Sequence, residues 1–197
     1  MGLVDSVKGL PVLLLVALIL ILVANLFNGI AFSTTAWGEY FSYIANSNVI
    51  DPTATYTNVG LWRTCTGTQV TYALDGLGAC SYTALGTAQG WMACVQAMAV
   101  FGFAGILGSL ILMMAYLLGE KNGDYILLAA FICIITGVLY FIGIVMYGAK
   151  FYSPVITSGF GRTLSWSFGL AVISMILEIV AGVLLLLGRK GTATSPS

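Results

Sequence analysis

Apolar residues along the chain gather into four long runs, and charged residues mark where each run stops. The first lies between Lys8 and Glu39. The second begins near Trp91 and ends before Glu120. The third lies between Asp124 and Lys150, and the fourth between Arg162 and Arg189, broken by Glu178. A helix needs about 20 apolar residues to cross the hydrocarbon core of a bilayer. Each run meets that length, which predicts spans at roughly 9–32, 91–118, 125–148 and 164–188, loops at 33–90 and 149–163, and a tail at 189–197. Pro11 suits the first turn of a helix. The first run is also open to reading as a secretory signal with small residues near Ala31 and Ser33. Its apolar core, however, runs past the roughly 7–15 residues of such a segment.

The loop at 33–90 has a different pattern. It is rich in Thr, Tyr, Gly and Asn, and its hydrophobicity alternates in places, as in Val59–Cys65 and Ala79–Thr83. These read as strands, with Gly67, Gly76 and Gly78 turning between them. The expectation is a small antiparallel sheet seated on a helix bundle. Such a sheet is marginal by itself. Cys65 and Cys80 fall within it, and in an oxidising compartment they are expected to pair. Closing a loop of about 15 residues is worth roughly 3 kcal/mol in the chain-entropy view. Cys94 and Cys133 lie inside spans two and three, where they read as small apolar fillers.

Composition sharpens this picture. Of 197 residues, 59% are hydrophobic and 7% charged, against about 25% charged in a soluble domain. Most of the surface therefore faces lipid, and the bilayer is the first expected partner. The length suits one tetraspan domain covering residues 1–197. Net charge is zero and no basic run occurs, so nucleic-acid binding has no electrostatic footprint. Histidine is absent, which removes the commonest general base and metal ligand. Two intramembrane thiols without a CxxC pair do not make a zinc site. No phosphate loop or nucleophile–base pair can be named, so no enzyme, metal or cofactor is expected. Lys8, Lys121, Arg189 and Lys190 crowd short segments, whereas Arg63, Lys150 and Arg162 are spread over the two longer loops. The positive-inside rule then places both termini in the cytoplasm and both loops outside.

Ser33-Thr34, Trp37, Gly60-Leu61-Trp62, Cys65 and Cys80 follow one another in that order, and Phe151-Tyr152-Ser153-Pro154 follows span three. This order resembles the signature of the claudin, epithelial membrane protein and peripheral myelin protein superfamily, and the second motif resembles the Phe-Tyr-x-Pro of claudins. The pattern is most similar to a divergent claudin, such as an invertebrate one, over nearly the whole chain. The resemblance implies a mainly α membrane fold: a left-handed four-helix bundle under a five-stranded extracellular sheet, four strands from the first loop and one from the second. It implies that Trp37, Gly60, Leu61 and Trp62 anchor the sheet at the membrane surface. It also implies homo- or hetero-oligomers in cis and in trans with other claudin-like proteins, with Phe151, Tyr152 and Pro154 in the trans-contact loop. Read without the resemblance, those exposed aromatics fit either a contact knob or an interfacial aromatic belt.

Some residues depart from the claudin pattern. Gln96 stands where claudins usually carry arginine, and Val95-Gln96-Ala97 is closer to the epithelial membrane protein branch. Thr66 and Ser81, which follow the two cysteines, are neutral where cation-selective claudins place an acid. The C-terminal Ser197 is not the apolar residue that PDZ domains capture. The candidate paracellular charges are Glu39, Asp51, Asp75 and Arg63; with Lys150 and Arg162 they sum to zero.

Asn25, Asn28, Gln96 and Glu178 fall inside the spans. Asn25 and Gln96 sit about 10 and 8 Å below the outer ends of their helices, similar enough in depth to let them hydrogen-bond across helices in a structural role. Glu178 lies near the midplane with no basic partner at its depth. It reads either as a structural, neutral carboxyl or as the functional residue that an intramembrane acid often marks. Ala104-x-x-x-Gly108 and Gly105-x-x-x-Ser109 present small residues at helix-contact spacing, facing either the bundle or another subunit. Met1-Gly2-x-x-x-Ser6 matches a myristoylation pattern. Two functions follow: a junction protein that forms or regulates a paracellular barrier, or an auxiliary channel subunit or membrane organiser. A transporter is disfavoured by the lack of paired, interrupted helices.

Overall fold

In the computed structural model the four apolar runs form four helices: α1 Val12–Ser33, α2 Gly90–Leu118, α3 Gly123–Phe151 and α4 Trp166–Ala193. Five strands accompany them: β1 Gly38–Ser42, β2 Thr55–Val59, β3 Arg63–Thr68, β4 Ala79–Tyr82 and β5 Phe160–Leu164. The structure describes residues 9–44, 49–68, 79–82, 90–119, 122–152 and 160–193, with backbone alone at 160 and 190–193. The sequence expectations at Asp75, Gly76, Gly78, Pro154, Lys121 and 194–197 lie outside the described residues.

All four helices are long and apolar enough to cross a membrane. α1 begins directly after Pro11, whose carbonyl accepts from Leu15 N at 3.0 Å. The third helix runs past its expected end at 148 and finishes at Phe151. Lys150 reads as a loop charge in sequence, but a cation in the last helical turn complements the exposed carbonyls there.

The sheet is antiparallel throughout, in the order β4-β3-β2-β1-β5. Four strands come from the first loop and one from the second, as the resemblance implies. The strand expected over Val59–Cys65 is corrected: Val59 ends β2, Arg63 begins β3, and Gly60-Leu61-Trp62 is the turn between them. Gly60 N donates to Arg63 O at 2.9 Å, closing that turn. A side chain at Gly60 would lie 2.6 Å from Thr34 O and 2.7 Å from the Thr35 Cα, so only glycine permits the approach.

The chain divides into two compact units. The helical unit comprises Met1–Gly29, Met98–Phe141 and Val172–Ser197. Its core includes Leu14, Ile21, Ile106, Met113, Ile126 and Leu185, all fully buried. The other, the sheet unit, comprises Ile30–Ala97 and Ile142–Ala171. In the helical unit the two small-residue stripes of α2 face different ways. Gly105 abuts the Thr136 side chain of α3, and Ser109 Oγ lies 3.2 Å from Ala129 O. Ala104 is exposed, and a side chain at Gly108 would meet no described atom within 4 Å.

Candidate functional site: the anchored sheet

Trp37 is the centre of the sheet unit. It is 0% exposed, and its indole Nε1–H donates to Ala31 O at 2.7 Å in the last turn of α1. Its backbone N donates to Val59 O and its carbonyl accepts from Ser165 N, at 3.1 and 3.0 Å. The ring meets Tyr147 and Phe168 edge-on, with centroids 5.2 and 5.9 Å apart, the favoured geometry for aromatic pairs. One residue thus ties α1, β2, α3 and α4 together, its side chain reaching the three helices and its backbone the strand. Thr34 and Ser167 hydroxyls, 2.6 Å apart, add a second tie between the α1 end and α4.

The Gly60-Leu61-Trp62 turn docks beside it. Leu61 is fully buried, and its carbonyl accepts from Gln96 Nε2 at 2.7 Å. Trp62 rests on Phe32 at 5.1 Å. Its buried Nε1 has no partner among the described residues. Arg63 donates to Ser33 O at 3.2 Å and lies over the Tyr82 ring. The Cys65–Cys80 disulfide joins β3 to β4 where the two cysteines face each other in register.

Asn25 Nδ2 donates to Ile21 O and Ile106 O, at 2.9 and 3.3 Å. Gln96 serves the Leu61 carbonyl. Asn28 is fully buried, and neither polar atom of its amide has a partner among the described residues. Cys94 and Cys133 are free thiols.

The expectation of exposed aromatics at 151 and 152 is half corrected. Phe151 is 2% exposed. It stacks on Tyr147 at 5.6 Å and meets Tyr40 at 5.0 Å. Its ring occupies the space that a side chain at Gly38 would need. Tyr152 is 50% exposed, and its hydroxyl accepts from Leu164 N at 3.3 Å. Arg162 donates to Phe151 O at 3.0 Å, satisfying a terminal carbonyl of α3. Tyr147, Ser165 and Ser167 were not singled out from the sequence. Tyr147 stands four residues before Phe151, so the helical spacing that links them shows only if α3 is extended past 148.

The charged residues are engaged locally. Glu39 accepts from the Ser165 hydroxyl. Asp51 Oδ1 accepts from Thr53 N at 2.9 Å and Thr53 Oγ1 at 2.7 Å, an Asx turn. Those bonds hold its carboxyl below the usual carboxylate range. Burial pushes the Tyr40 phenol up, with the Arg162 charge opposing it. Among the described residues, no group of three or more His, Cys, Asp or Glu could hold a metal.

The buried tryptophan, the GLW turn and the disulfide sit together in this unit, and a family model described as PMP-22/EMP/MP20/Claudin tight junction matches residues 15–187. The chain belongs to this family. None of the curated proteins compared with it is similar enough to match. In claudin-family terms, the structure gathers Trp37, Gly60, Leu61 and Trp62 at one end of α1 and links Leu61 to α2 through the hydrogen bond from Gln96. The mainly α tetraspan with its small antiparallel sheet is the architecture that the resemblance implies.

Proposed function

We propose that this claudin-family protein is a cell–cell junction component that oligomerises in the plasma membrane and forms or regulates a paracellular barrier. In this reading residues 1–197 act as one tetraspan domain with both termini cytoplasmic and the sheet outside. The observation that carries it is the bracing of the sheet: a disulfide at one side, Trp37 at the other. A braced sheet meets a partner without ordering itself first, which lowers the cost of association. Tyr152, half exposed beside β5, offers a contact to an opposing membrane; Phe151 supports it from beneath, and Pro154 completes the motif.

A barrier is favoured over a charge-selective pore. Glu39, Asp51 and Arg63 each spend hydrogen-bonding capacity on the protein itself, and Thr66 and Ser81 are neutral. Expression in a cell monolayer lacking endogenous strands tests this. Resistance should rise with little change in the Na⁺/Cl⁻ permeability ratio, and a large selective conductance would overturn it.

The auxiliary-subunit reading is favoured by one observation, the buried Gln96 at the position where claudins usually carry a charge. Freeze-fracture separates the two. Strands at cell contacts support the junction role, whereas particles that co-purify with a larger channel support the auxiliary role.

A further inference from the structure

A threonine hydroxyl has one proton to donate. Thr136 Oγ1 lies 2.6 Å from Ile132 O, one turn back on α3, and 2.6 Å from Glu178 Oε1 on α4. Both distances are at the short end for O–H···O bonds, so each contact needs a proton of its own. The Ile132 carbonyl has none to give. Ser109 shows what a divided proton looks like, with its hydroxyl 3.0 and 3.2 Å from two carbonyls.

We propose that Glu178 is held as a neutral carboxylic acid that donates its proton to Thr136 Oγ1, while Thr136 donates its own to the Ile132 carbonyl. The result is a proton-binding site in the middle of the helical unit. Two further observations support it. Glu178 is 0% exposed and its second oxygen, Oε2, has no partner among the described residues. With the proton in place Oε2 is an unpaired neutral oxygen; without it, half of a carboxylate would be buried unpaired, which is far costlier. Among the described residues of this unit, none close to Glu178 supplies a positive charge. The titratable neighbours on α3 are Cys133 and Tyr140, close to one turn either side of Thr136, and both are buried. Within this unit the described residues of α1 contribute none and those of α2 contribute Tyr116. Arg189 on α4 is about 16 Å away along the helix at 1.5 Å per residue and pairs with Asp124 at 3.5 Å.

Infrared spectroscopy of the full chain in lipid vesicles at neutral pH tests the assignment. The difference spectrum between the wild type and Glu178→Gln should show loss of one protonated-carboxyl C=O band. Loss of a carboxylate band instead, with the acid region unchanged, overturns it. Thr136→Val is a second arm that leaves the acid in place. It should shift the acid band to higher frequency, as the proton loses its acceptor. An unshifted band would show that the acid is not bonded to Thr136.

Discussion

The Gln96 side-chain amide donates to the Leu61 carbonyl at 2.7 Å, and both residues are fully buried. A glutamine inside a membrane span therefore finishes the turn of an anchored sheet. Replacing Gln96 with Leu would leave that carbonyl dry and unpaired. The expected cost is about 1–3 kcal/mol, read as a lower thermal midpoint in detergent, and Gln96→Glu should restore part of it only where the buried carboxyl holds its proton and can donate.

Two glycines three positions apart on α2 should respond oppositely. Gly105→Ala forces a methyl into the Thr136 side chain and is expected to destabilise by about 1–3 kcal/mol, the usual range for overpacking. Gly108→Ala enters open space and should be neutral or stabilise by up to about 1 kcal/mol through helix propensity. Paired thermal unfolding of the two variants checks the contrast.

Asp51 should give the 51–54 turn an acid-side pH dependence. Its hydrogen bonds from Thr53 depress the folded-state pKa. Its contribution is thus present above the unfolded value of about 3.9 and is lost as pH falls through the lower folded value. Amide exchange at Thr53 should speed up below that point in the wild type. Asp51→Asn should remove the transition.

Replacing Cys65 and Cys80 together with Ser opens a closure of 15 residues in sequence separation and should cost roughly 3 kcal/mol. The residues of β4 are all exposed, and the strand pairs with β3. Protease sensitivity confined to the 66–89 region, with helix content intact by circular dichroism, is the expected pattern.

The helices were legible because an uncharged run of helical length has few other uses. Their ends were not. Lys150 looked like the start of a loop, yet it lies within α3, where Arg162 from β5 completes the terminal carbonyls. The disulfide could be read from the chain, and the order of Trp37, Gly60, Leu61 and Trp62 through the family resemblance. The GLW segment passed for a strand because the pattern of side chains does not reveal that Gly60 must lie against Thr34. The partnership of Glu178 with Thr136 joins residues 42 apart, and no local spacing announces it.

The last carbonyls of α1 point to a final consequence. Ala31 O is taken by the Trp37 indole and Ser33 O by Arg63, so part of the helix terminus is completed by residues that reach it only once β1 and β3 have formed. Insertion of that segment into the bilayer can precede this, but its final turn should stay frayed until the sheet closes over it. Maturation outside the membrane would then be reported inside it, and a chain whose strands failed to assemble would carry a loosened helix end that quality-control factors could recognise.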